Sequence, residues 1–196
     1  MRFCCLVAAG LVVGAAAVVA QEAGTEYLDP GLRSAYAGEE MRAVKTLSEE
    51  DVRQLRNGEG WGLAKAAELN GVPGPAHILS LSDGGHLGLT AEQIQGIRGL
   101  YDDVKARARP LGERLIAEER ELNERFADGA LSETDLRSLL DQIAGTTAEL
   151  RYVHLSAHLR TPEILTASQI YSYNQMRGYG EAQSVEAPHS PPVHGH

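Results

Sequence analysis

Apolar side chains recur three, four or seven positions apart along the chain from Ile94 through Ile97, Tyr101, Val104, Ala108, Leu111, Leu115 and Leu122 to Phe126. At 3.6 residues per turn that spacing places them on one stripe of an amphipathic helix. A second stripe, Leu136, Leu139, Leu140, Ile143, Thr147, Leu150, Val153 and Ala157, begins just after the turn signal Asp128-Gly129-Ala130. Between the apolar positions of the first stripe, Arg107, Arg109, Arg114, Arg120 and Arg125 alternate with Glu113, Glu118, Glu119, Glu121 and Glu124. This is the pattern of a solvated face with charge pairs three or four apart. Two such helices joined by a tight turn predict a long hairpin. Pro110 lies inside the first and cannot donate to residue 106, so that helix is expected to kink or divide and the hairpin to be bent.

The start signals agree with the stripes. Thr90 with Gln93, and Thr166 with Gln169, have the threonine and glutamine of a capping box, in which side chain and backbone satisfy each other's orphan donors. Leu89 and Leu165 precede the caps and Ile94 and Ile170 follow the glutamines, the arrangement of a hydrophobic staple. Ser48 with Asp51 and Ser132 with Asp135 repeat the design with a shorter acid. Four such starts predict an all-α protein: short helices over 48–57, 63–70 and about 76–81, the hairpin from Thr90, and a last helix from Thr166 to about Met176.

Punctuation divides the rest. Residues 47–88 read as short helices with Gly- and Pro-rich turns, among them Gly58-Glu59-Gly60-Trp61-Gly62 and Pro73-Gly74-Pro75. The alternating glycines suggest a phosphate loop, but no Gly-Lys-Ser/Thr follows and no strand precedes, so a turn with Trp61 tucked onto the bundle is expected. Residues 21–46 read as a flexible leader and residues 179–196, rich in Pro, Ser and His, as a disordered tail.

The first twenty residues are of another kind. Arg2 followed by an apolar run to Val19, with Val18-Val19-Ala20 before Gln21, reads as a secretory signal peptide; the run is short for a membrane anchor. Both cysteines, Cys4 and Cys5, lie inside it, so the mature chain has no disulfide or thiolate chemistry. The formal charge of −9 becomes −10 once Arg2 is removed, with 17 basic against 27 acidic residues. That balance, without a basic run interleaved with aromatics, speaks against nucleic acid as a partner. A periplasmic location is expected, with no stable membrane span after signal cleavage.

Leu89-Thr90-Ala91-Glu92-Gln93 and Leu165-Thr166-Ala167-Ser168-Gln169, bracketing a helical hairpin behind a signal peptide, resemble the LTxxQ-motif Spy/CpxP family of periplasmic stress-response proteins, which is related to periplasmic heavy-metal sensors. The resemblance covers about residues 86–178 and makes 89–178 the LTxxQ helical domain. It implies a cradle-like, bent all-α fold and a homodimer formed through the hairpin. It also implies that Leu89, Thr90, Gln93, Leu165, Thr166 and Gln169 shape the fold and are not catalytic. The function implied is that of an ATP-independent chaperone or envelope-stress protein holding unfolded or envelope proteins on an amphipathic surface. The alternative is a heavy-metal sensor or resistance protein.

No catalytic constellation is visible: the serines lack a nucleophile elbow, and carboxylate pairs such as Glu118-Glu119 fall at surface spacing. An enzyme is not expected. His154 and His158, one helical turn apart, are the chemically suggestive pair, because both could reach one divalent transition metal, with His77, His86 or a carboxylate as third ligand. The other reading makes them partly buried or surface histidines. His189, His194 and His196 in the tail could bind metal loosely, the alternative being a solvated tail.

Overall fold

The computed structural model describes residues 30–82 and 85–179; the signal segment 1–20 and residues 180–196 of the tail lie outside that range. The chain divides after Ala37 into two units. The described part of the first, residues 30–37, carries one short 3-10 turn, Pro30–Leu32. The second unit is helical, and no strand occurs among the described residues. Its helices are α1 (Glu49–Asn57), α2 (Lys65–Glu68), α3 (Pro75–Ser82), α4 (Ala91–Ala127), α5 (Glu133–Arg160) and α6 (Ala167–Met176), with 3-10 turns at Glu39–Met41 and Thr161–Ile164.

Capping explains where the helices start. Asp51 N–H donates to Ser48 Oγ at 3.1 Å, while the Asp51 carboxylate accepts from Ser48 N–H at 2.8 Å. At α5 only half of this device forms: Asp135 N–H donates to Ser132 Oγ at 3.1 Å, and the Asp135 carboxylate takes the Ser132 hydroxyl at 2.7 Å. Helix α1 stops at Gly58, whose left-handed φ of 62° lets Glu59 N–H fold back to the Gln54 carbonyl at 2.8 Å.

Helices α4 and α5 lie antiparallel, fixed by Glu118 with Thr146 at 3.0 Å and Asp103 with Arg160 at 3.5 Å. With 37 residues α4 is about 55 Å long. Of the two outcomes expected at Pro110, a kink or a division, the division does not occur: α4 runs through it. That residue faces solvent, so the carbonyl it leaves unbonded can be hydrated, while Ala108 and Gly112 on the opposite face are held by α1.

The main core joins Val44, Leu47 and Leu55 to Ala108, Leu115, Ile116, Leu150 and Val153. The expected leader 21–46 therefore ends in packed chain, with Val44 2% exposed. Helix α1 crosses α4 at Gly112, where a Cβ would stand 2.2 Å from the Leu55 carbonyl oxygen. Only glycine permits that approach. A second core of Ile78, Leu87, Ile97 and Tyr173 joins α3 and α6 to the start of α4, with Leu89 and Leu165 packed against it.

Three assignments of the hairpin stripes change. Phe126 is 62% exposed and Leu140 41% exposed, although both were expected inside. Leu139 takes the inward position, and a step of 100° turns its neighbour Leu140 outward. Phe126 lies at the last turn of α4, beyond the reach of the main core. Glu118, expected on the solvated face, is only 8% exposed. It accepts from Thr146 Oγ1 at 3.0 Å and from Arg114 Nε at 2.8 Å.

Candidate functional site

The two motif glutamines meet. Gln93 Oε1 accepts from Thr90 N–H at 3.0 Å and Gln169 Oε1 from Thr166 N–H at 2.9 Å, each completing the cap of its own helix. Across the junction Gln93 Nε2 donates to Gln169 Oε1 at 2.9 Å, and Gln169 Nε2 returns the bond to Gln93 Oε1 at 3.0 Å. The remaining amide hydrogens go to the carbonyls two residues before each threonine: Ile164 at 2.8 Å from Gln93 and Gly88 at 3.4 Å from Gln169. Each amide thus uses its two donors and two acceptor sites, the full capacity of the group. The result is a pseudo-symmetric clasp that ties the N-terminus of α4 to that of α6. Capping explains each glutamine alone, but nothing in the local pattern announces their mutual bond.

The histidine pair lies further along the hairpin. His154 and His158 are 7% and 6% exposed, and both line a cavity of about 400 Å³ between the hairpin and the chain from α1 to α3. His158 Nδ1 lies 2.8 Å from the Val72 carbonyl, a bond that requires the Nδ1–H tautomer. Its Nε2 faces Gly74, where a Cβ would come within 2.4 Å of it. His154 Nε2 is buried without a hydrogen-bond partner. Burial, with His158 and Lys105 nearby, pushes the His154 pKa down to about 4, so the ring is neutral at neutral pH.

His77 lines the same cavity, as one of the third ligands considered from sequence, whereas His86 does not. Its Nδ1 stands 2.9 Å from Glu68 Oε1, too poorly aligned for a hydrogen bond. Burial lowers its pKa, against the opposing pull of Glu68. Among the described residues no group of three or more His, Cys, Asp or Glu is arranged to hold a metal ion.

Trp61 closes another wall, as expected of a tucked turn. Among the described residues it is the one non-glycine with a left-handed φ, 43°, a conformation that costs about 1–2 kcal/mol. Its indole N–H donates to Asp51 Oδ1 at 2.7 Å, and hydrogen bonds from Ser48 and Trp61 hold that carboxyl below the usual carboxylate range. The α1 capping box therefore also fixes the ring.

No family model, curated protein or solved structure matches this chain. No helix among the described residues is long and apolar enough to cross a membrane.

Proposed function

We propose that this protein is a periplasmic, ATP-independent holder of unfolded or aggregation-prone envelope proteins, of the LTxxQ Spy/CpxP kind. The observation that carries the reading is the far end of the hairpin, where apolar side chains are left uncovered. Phe126 and Leu140 are exposed there, and Leu122, Leu131 and Leu136 are half-buried among Glu124, Arg125, Glu133 and Arg137. Apolar contacts ringed by charge suit weak binding of varied clients, because burial of apolar area is non-directional while the charged rim keeps the free protein soluble. The clasp supports the reading by holding the opposite end of the scaffold rigid. Two copies paired along the hairpin would set two such ends on one dimer.

The test is light scattering from a denatured client mixed with mature protein, without ATP. Suppression at up to equimolar ratio is expected. It should be lost in Phe126→Ser/Leu140→Ser, with helicity unchanged by circular dichroism. A flat dose response removes the reading.

A divalent transition metal on His154 and His158 is the second reading, favoured by the unpartnered His154 Nε2 and by His77 in the same cavity. In this packing the site is not formed: His158 Nε2, the nitrogen left as a ligand by the Val72 bond, lies against Gly74, and no third ligand converges among the described residues. Binding would use His158 Nε2, whose lone pair the Val72 bond leaves free, and would require the chain at Gly74 to move aside. Calorimetric titration with zinc, copper and nickel decides the matter. Affinity weaker than about micromolar, or equal affinity in His154→Ala/His158→Ala, removes the metal.

A further inference from the structure

The cavity beneath Trp61 is lined by none of the residues at the far end of the hairpin, and its walls are chemically asymmetric. Trp61, Ala64, Tyr101, Val104 and Ala157 make an apolar, partly aromatic lining. Its carboxylates are already engaged. Glu59 accepts from Arg53 at 2.7 and 3.2 Å and from Asn57 at 3.1 Å, and Glu68 faces His77 at 2.9 Å and Arg177 at 3.7 Å. Its lysines have no such close partner, although Lys105 acts on Glu59 through space. Neither Lys65 nor Lys105 forms an ion pair with a described residue, and the Lys105 ammonium instead lies 5.6 Å from the centre of the Tyr101 ring. Two lysines without an ion pair thus stand at a cavity where Glu59 shares Arg53 with Glu50 and Glu68 has Arg177 at 3.7 Å.

The geometry points to a binding site for an organic anion with a flat apolar body, its rings against the Trp61 and Tyr101 wall and its carboxylate or sulfonate on Lys65 and Lys105. A cavity of about 400 Å³ has the size of ordinary small-molecule pockets. The wall is preorganised: Trp61 keeps its left-handed backbone between Gly60 and Gly62, and the Asp51 bond fixes the ring before any ligand arrives. The anion supplies what the cavity lacks, a partner for two ammonium groups, and charge-assisted hydrogen bonds are the stronger kind.

Trp61 is the single tryptophan of the chain, so its emission reports on this wall. The experiment titrates full-length mature protein with 1-anilinonaphthalene-8-sulfonate and, as the uncharged counterpart of the same ring system, N-phenyl-1-naphthylamine. Saturable quenching of Trp61 is expected with the sulfonate at about 10 µM or below, and about tenfold weaker with the neutral dye. Lys65→Gln/Lys105→Gln should lose about tenfold for the sulfonate alone, while Lys105→Arg, which keeps the charge, stays within about threefold of the parent. Circular dichroism on each variant checks that the helices are intact. The proposal is overturned by no saturable quenching up to about 1 mM, by equal affinity for the two dyes, or by a folded lysine double variant that binds the sulfonate unchanged.

Discussion

His154 makes the stability of this protein depend on pH in a way that can be worked out from its surroundings. Its ring is buried without a partner for Nε2, near His158 and Lys105, and its pKa in the folded chain is about 4 against an ordinary 6.5. Between those values the unfolded chain binds a proton that the folded chain refuses. Stability from this group is therefore fully present above pH 6.5 and falls as the pH drops toward 4. The gap corresponds to about 3 kcal/mol in total, most of it lost by pH 4.5. His77, also depressed by burial, acts in the same direction. The carboxyls of Asp51 and Glu59, held low by their hydrogen bonds, begin to withdraw their stability as the pH falls through the ordinary carboxylate values, so the histidine window opens first. Urea unfolding followed by circular dichroism at pH 7.5, 6.0, 5.0 and 4.5 measures the loss. His154→Leu, of similar size and without a titrating group, should keep stability at pH 7.5 and flatten the profile by about 2–3 kcal/mol. Parallel profiles for parent and variant, or a His154 proton titrating near 6.5 by NMR in the folded chain, would refute the reasoning.

Three further outcomes follow from particular contacts. Gln93→Ala removes one half of the clasp and is expected to cost about 2–4 kcal/mol in urea unfolding, whereas adding Gln169→Ala costs much less than the same change alone; additive costs would mean the two amides do not cooperate. Gly112→Ala forces a Cβ against the Leu55 carbonyl and should destabilise by about 1–3 kcal/mol, while Gly99→Ala and Gly145→Ala, which meet nothing within 4 Å in helix interiors, should stabilise by up to about 1 kcal/mol each; thermal melts showing the same sign at all three sites would contradict the close crossing of α1 and α4. Thr146→Val takes a donor from the buried Glu118 carboxylate, whose Oε2 already lacks a partner, and should lower stability by about 1–3 kcal/mol at neutral pH, with Glu118→Gln in the same background recovering part of it; an unchanged midpoint for Thr146→Val would show Glu118 to be hydrated.

The helices and their starts were legible in the sequence because capping and amphipathic spacing are local. Thr90 with Gln93 and Thr166 with Gln169 form the expected boxes, and Ile97, Val104, Leu115, Leu150 and Val153 lie inside as the stripes required. What the helices do to one another was not legible, since it depends on which faces meet across tens of residues. The same glutamines that cap their own helices also bind each other 76 positions apart, and no local rule distinguishes an amide that stops at its cap from one that goes on to clasp another. Glu118 looked like any surface acid, since its pairing with Arg114 one turn earlier is local, while the Thr146 bond from the returning helix is not. Gly112 passed unremarked within a helical pattern, although with Ala108 one turn earlier it leaves the shallow groove that admits α1. The spacing of His154 and His158 placed both rings on one side of α5. Tertiary packing then set Val72 and Gly74 against one of them and left the other without a partner, because the nitrogen a histidine offers depends on the neighbour that reaches it first.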